Sequence, residues 1–531
     1  MPDFSDHAEG LQSSSEEARL SAVKALSVFA DQRGVDEEVH IPLFEEPGIV
    51  AGLMRIMRED GQEARAAAFV TVARMARADA NGVEFVKVEG LLDALTSAVA
   101  RETGEARADA ASALENVAYI DGNRKCMCDH PGLLSALTSA VSEDTGEARL
   151  KATTALWSLA VNVDNKKVMC DHPGLLSALT SAVSEDTGET RVNAAGAFHN
   201  ISSSVDNMKV MCNHPGLLSA LISTVSEDTG KARVKATGVL VSLAFSVDNE
   251  KVMCDHPGLL SALISAVLED TGEARVRAAG VLACLSNSDG NRKVMCDHPG
   301  LLSALISAVS EDTGEARVRA AGALLDLANS DDNRKVMCDH PGLLSALISA
   351  VSEGTGEAVV NAAAALLNLS TSVDNMKVMC DHPDLLSALI SVVSEDTGEA
   401  TANAAAALGN LAALTANAAA LLASGVVPTM IDIIREAGPD FAKWGGDSAA
   451  ESWALIFLMN IAQADVAVPV LRVANIYELV APLVVQNDLL ALNAAAILSF
   501  VVGGDESGES AANINIATPF FSSSPPFLFT I

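Results

Sequence analysis

A cysteine and a histidine one residue apart form the pair in this chain best suited to chemistry. The pair occurs seven times, from Cys128 and His130 to Cys380 and His382, always 42 residues on. Thiolate and imidazole are the usual zinc ligands. The spacing excludes a shared ion. Packed helices sit ~8–10 Å apart, whereas zinc needs four ligands at ~2.0–2.3 Å, and one copy supplies two. A disulfide needs Cα atoms ~4.4–6.8 Å apart, which equivalent cysteines do not reach. Cys126 and Cys128 face apart on one short helix. The nine cysteines therefore read as small buried thiols in a reducing compartment. The histidine column is a candidate pH sensor, although duplication of the unit explains it equally. No phosphate-binding loop and no nucleophile–base pair stands outside the repeat. No enzyme activity, metal or cofactor is expected.

The positioning elements follow from the period. Asn291 to Asp332 is one 42-residue unit, and its glycine recurs at Gly48, Gly90, Gly132, Gly174, Gly216, Gly258, Gly300 and Gly342. A fixed period of this length marks a solenoid of stacked repeats. The unit predicts three helices. The first, Asn291 to Asp297, is too short to stand alone and is broken by His298, Pro299 and Gly300. The second carries Leu301, Leu302, Leu305, Ala308 and Val309 at helical spacing. Asp312 to Glu315 has the form of a capping box. The third runs to about Ala328, with Ala316, Ala320, Ala323, Leu324 and Leu327 on its buried face.

This pattern resembles the armadillo repeat. The run from Asn417 through Gly425 to Pro428 matches the family's asparagine, glycine and second-helix proline, and Ala197 to Ile201 and Ala407 to Ala412 match its third helix. The central units space asparagine and glycine one residue wider. The resemblance spans roughly residues 15 to 502 and implies an all-α, right-handed α-solenoid, an armadillo-like superhelix of about eleven repeats. The two-helix HEAT repeat lacks this glycine pattern.

The resemblance also implies a concave groove of third helices that takes extended segments of partner proteins. Its asparagine position holds Asn116, Ser158, Asn200, Ser242, Cys284, Asp326, Asn368, Asn410 and Asn460. Its tryptophan position holds no tryptophan, only Ser112, Thr154, Ala364, Ala406 and the glycines 196, 238, 280 and 322; Trp157 falls on another face. One turn earlier the groove carries Lys151, Asn193, Lys235, Arg277, Arg319, Asn361 and Asn403. Basic residues in its middle favour an acidic or phosphorylated segment, or else pair with Asp326 and other neighbours.

Composition bounds the rest. Aromatics make up 4% of 531 residues, which fits alike, alanine-packed repeats better than a globular enzyme. The formal net charge of −34 disfavours nucleic acid and anionic membrane and favours basic partners. The loops of the form Ser142 to Glu147 stack into an acidic edge that would attract such surfaces. No secretory signal and no membrane span is read. A cytoplasmic chain is expected, with the nucleus as the alternative site. The organisation expected is a disordered N-terminus (1–14), a cap helix with an acidic linker (15–46) and two diverged repeats (47–122). Seven near-identical repeats (123–413), C-terminal repeats (414–502) with an insertion near 437–447, and an irregular apolar tail (503–531) follow. Asp384 replaces the turn glycine, so that turn is expected to differ. The function expected is a non-enzymatic protein-binding scaffold. The alternatives are a nuclear-import adaptor and a structural spacer without a dedicated ligand.

Overall fold

The computed structural model describes residues 4–32, 37–395, 398–437, 449–486 and 489–502. All regular structure among them is helical. The chain divides into two compact units, Met1–Leu327 and Ala328–Ile531. The tail 503–531 and most of the expected insertion lie outside the described residues.

In the first unit one repeat consists of helices Val205–Cys212, Leu217–Glu227 and Lys231–Ala244. Asn207, Gly216 and Arg233 explain how it is built and stacked. Gly216 enters the second helix at φ 79°, ψ −12°, a left-handed conformation that costs a residue with a Cβ roughly 1–2 kcal/mol. It turns Leu217, Leu221 and Val225 inward, all at 0% exposure. Ala236, Val239, Leu240 and Leu243 of the third helix are also fully buried. Each helix packs on the corresponding helix of the next repeat, giving rows of first, second and third helices. The unit is an α-solenoid.

Two hydrogen-bonded ladders join the repeats. The buried Asn207 donates one amide proton to Ile201 O, in the third helix of the preceding repeat, and one to Lys166 O, in that repeat's first helix, both at 3.0 Å. Asn81, Asn123, Asn165, Asn249 and Asn291 do the same. These donations tie each first helix to the first and third helices of the repeat before it.

The second ladder is ionic. Arg107, Arg149, Arg191, Arg233 and Arg275, each at most 7% exposed, pair with Asp144, Asp186, Asp228, Asp270 and Asp312 of the following repeat. Arg65 meets Glu102 at 2.9 Å in the same register. This corrects the expected capping box. Thr145 and Thr187 occupy the N-cap positions but make no side-chain cap bond. The aspartate beside each is turned to an arginine instead. It also thins the expected acidic edge: the aspartates are neutralised, while Glu143, Glu185, Glu269 and Glu311 stay 62–65% exposed with the same arginines 3.3–3.8 Å away.

The N-terminus differs from expectation. Helix Ser5–Gln12 lies inside the stretch expected to be disordered. Phe4 and Leu11 are 2% and 0% exposed, and the Phe4 ring meets Phe29 edge-on at 5.3 Å. The expected acidic linker contains helix Glu37–Glu45.

The second unit is also an α-solenoid. Its third helices Glu357–Ser370, Glu399–Ala412, Ala449–Ala462 and Leu489–Val502 pack in sequence. The arginine register is lost, with Val359 and Thr401 in its place. Asp384 enters its helix without a positive φ, whereas Asn475 takes φ 55° at the last turn. Asparagine tolerates that region because its short side chain bonds locally.

Candidate partner-binding face

Every side chain singled out for binding lies on a third helix of one unit or the other, and the structure gives most of them partners within their own unit. In the first unit Asn116 donates to Ala73 O at 2.8 Å, and Asn200 to Trp157 O at 3.4 Å, each reaching the preceding third helix. Ser242 donates to Gly238 O at 3.1 Å. Asp326 accepts from the Ser286 hydroxyl at 3.0 Å, and burial raises its pKa above the usual carboxylate range. Ser158 is half-buried on the same row.

The residues one turn earlier are placed as follows. Lys151 pairs with Glu115 at 3.2 Å and Glu147 at 3.6 Å. Asn193 is buried and donates to the Thr154 hydroxyl at 2.9 Å. Arg277 and Arg319 pair with Glu273 and Glu315 of their own helices, at 2.5 and 2.7 Å. Lys235 Nζ stands 5.7 Å from the centroid of the Trp157 ring. The partners of the cations are thus glutamates one turn back or one repeat away, and Asp326 is not among those of Lys151, Arg277 and Arg319.

Trp157 is the residue that the sequence misplaced. Its indole crosses to the next repeat, where a methyl on Gly196 would lie 3.0 Å from Nε1. The tryptophan position is empty of side chain in its own helix, and a neighbour's ring fills the gap. Four glycines spaced 42 apart were the available signal, since a glycine inside a helix often marks close approach by another group.

A recess of about 180 Å³ opens between three third helices, lined by Arg74, Arg77, Asp109, Ser112, Glu147 and Lys151 among others. Asp109 Oδ2 is buried there without a hydrogen bond. Burial, and then the Glu105 charge, push its pKa up to about 6, against the opposing pull of Arg74.

In the second unit Asn368 donates to Asn329 Oδ1 at 2.8 Å, Asn410 to the Ser370 hydroxyl at 3.1 Å and Asn460 to Gly409 O at 2.9 Å. Asn361 and Asn403 are half-buried, and Asn403 Nδ2 has no hydrogen-bond partner.

The cysteine and histidine columns lie off this face. Cys170, Cys212, Cys254, Cys296 and Cys338 are buried, and desolvation lifts their thiols to about 11. Among the described residues no group of three or more metal-ligating side chains converges. The histidines bridge repeats: Ser135 with His172, and Ser177 with His214, both at 3.2 Å. A serine hydroxyl donates to a neutral ring nitrogen or accepts from a protonated one, so the bridge survives either state and makes a poor switch.

No family model matches the chain, and no curated protein matches it. Solved structures do. One is a crystal structure of an engineered protein, with a TM-score of 0.58 and 20% identity over 87% of this chain and 99% of that one. Another comes from work on a conserved phosphorylation switch controlling the interaction between cadherin and β-catenin, with a TM-score of 0.64 and 17% identity over 86% of this chain and 94% of that one. At such identities the likeness is one of fold, and it agrees with an α-solenoid of tandem three-helix repeats.

Proposed function

We propose that this chain is an armadillo-type scaffold without enzymatic activity, which holds an extended segment of a partner protein along its third-helix row. The observation that carries the reading is the row itself. Polar side chains recur at one register, and Gly196 and Gly238 beside them let Trp157 and Arg277 of neighbouring repeats lie against the row. A repeating face of this kind suits a repeating backbone, because an extended segment presents its amides at a constant rise. The solenoid fold is shared with a structure from cadherin–β-catenin work, which favours protein partners.

A library of unstructured peptides displayed against the full-length chain supplies the test. A photo-crosslinker is attached at Ser242→Cys on the row, or at Val210→Cys on an exposed first-helix position. Selected peptides are expected to crosslink from position 242 and not from position 210. Selection of no peptide, or capture from position 210 alone, removes the reading and leaves the spacer.

A further inference from the structure

Positive charge gathers at one place on the first unit's third-helix row, in a chain whose formal net charge is −34. Lys235 stands over the Trp157 indole at 5.7 Å and, among the described residues, has no carboxylate within ion-pair distance. Arg277 leans over Gly238 from the next repeat. A methyl on Gly238 would lie 1.8 Å from Arg277 Nη1 and 3.1 Å from His199 Nδ1, so guanidinium and imidazole flank the same glycine. Arg277 is half satisfied, by Val234 O at 3.2 Å and Glu273 at 2.5 Å. His199 Nδ1 is buried against the Gly238 backbone without a bond of proper geometry. The charged groups facing His199 are Arg277, Lys235 and Glu273.

We propose that Trp157, His199, Lys235 and Arg277 form a subsite for one anionic side chain of the bound segment, a carboxylate or a phosphate monoester, and that His199 takes up a proton as the anion enters. The proposal rests on the reading of the third-helix row as a peptide-binding face. Among the described residues Lys235 has no carboxylate and Arg277 only Glu273, so the half-desolvated recess keeps an excess of positive charge, and an anion relieves that excess more than water does. Lys235 and Arg277 supply ammonium and guanidinium donors, and the indole keeps the site partly dry. Burial, and then Arg277 and Lys235, hold His199 below its ordinary pKa in the free protein. An anion beside it reverses the electrostatic part of that effect. Affinity therefore rises as pH falls through the bound-state pKa of His199 and levels off below its free-state pKa. Each unit between the two values amounts to about tenfold in affinity.

The test uses the full-length chain and the peptides selected above. Titration calorimetry in two buffers of different ionisation enthalpy reads affinity and proton uptake together. Changing the acidic residue of a selected peptide to its amide is expected to weaken binding tenfold or more, and Lys235→Gln and Arg277→Gln to do the same. His199→Asn is expected to lose the proton uptake and the gain in mild acid. A phosphoserine in place of the acidic residue should bind at least as well. Peptides that crosslink on the row yet ignore both the amide change and Lys235→Gln overturn the subsite while leaving the row intact. Unchanged proton uptake in His199→Asn overturns the role of that residue. Inorganic phosphate competing as well as the peptide would make this a free-anion site and overturn the assignment to a side chain. If no peptide binds at all, both readings fall.

Discussion

Arg233 of one repeat donates to Asp270 of the next at 2.6 Å, with the arginine side chain 4% exposed and the aspartate 17%. Its Nε also donates to Asp228 O at 2.7 Å, in the loop of its own repeat. One guanidinium thus closes a loop and staples the following repeat. Removing either partner strands a charge, and a stranded buried charge costs far more than the pair contributes. Arg233→Ala should destabilise the neighbouring repeats by about 3–5 kcal/mol. Replacing both residues with apolar ones should recover much of that loss. Hydrogen exchange across residues 205–286 measures it, and a uniform effect along the whole first unit would contradict the nearest-neighbour picture.

The asparagine ladder makes a sharper demand. Asn249 donates to Met208 O at 3.1 Å and Leu243 O at 2.9 Å and is 0% exposed. Asn249→Ala removes two buried hydrogen bonds, a loss of about 1–3 kcal/mol. Asn249→Asp should be worse, since an ionised carboxylate has no proton to give. A chemical-denaturation midpoint for Asn249→Asp above that for Asn249→Ala would contradict this assignment.

Two glycines of one repeat should respond with opposite signs. Gly258 sits at φ +83°, so Gly258→Ala should cost roughly 1–2 kcal/mol. Gly280 is helical, and a methyl there meets only the Val241 side chain at 3.8 Å, an ordinary contact. Gly280→Ala should therefore stabilise by about 0.5–1 kcal/mol through the backbone entropy removed from the unfolded chain. Thermal unfolding of the two variants side by side decides the matter.

Asp109 should couple stability to pH. Its folded pKa is raised to about 6 from 3.8, so the folded state holds the proton more tightly than the unfolded one. That contribution is fully present below the unfolded value and is lost as pH rises through about 6. Asp109→Asn should flatten stability between pH 4 and 6 and raise it at pH 7 by about 1 kcal/mol, after allowance for solvent screening of a half-exposed group. Parallel pH profiles for the two proteins would contradict the role given to Asp109.

Much of this fold was legible because its period is written in residue types that have few structural uses. Gly216 and its equivalents, the leucines after them and the alanines of the third helix specify turn, helix and close packing by steric fit alone. A local rule suffices for each, and repetition makes the rule hard to miss. Asn475 was the exception: it does the work of a glycine, and no spacing announces it.

Contacts between repeats were not legible in the same way. Asp270 reads locally as a helix cap, and only when Arg233 is brought from the repeat before does the carboxylate have a stronger donor. Trp157 reads as a ring on the wrong face until the helix beside it presents Gly196. His199, Lys235 and Arg277 lie in three successive repeats, so nothing in their spacing shows that the first and last of them flank Gly238 of the repeat between. The sequence by itself determined the three-helix unit, its period and its row of third helices, because those depend on backbone sterics and apolar burial within about 42 residues. Only the tertiary structure decided which polar groups are spent on stacking and which are not, because hydrogen bonds and charges choose partners by distance in space.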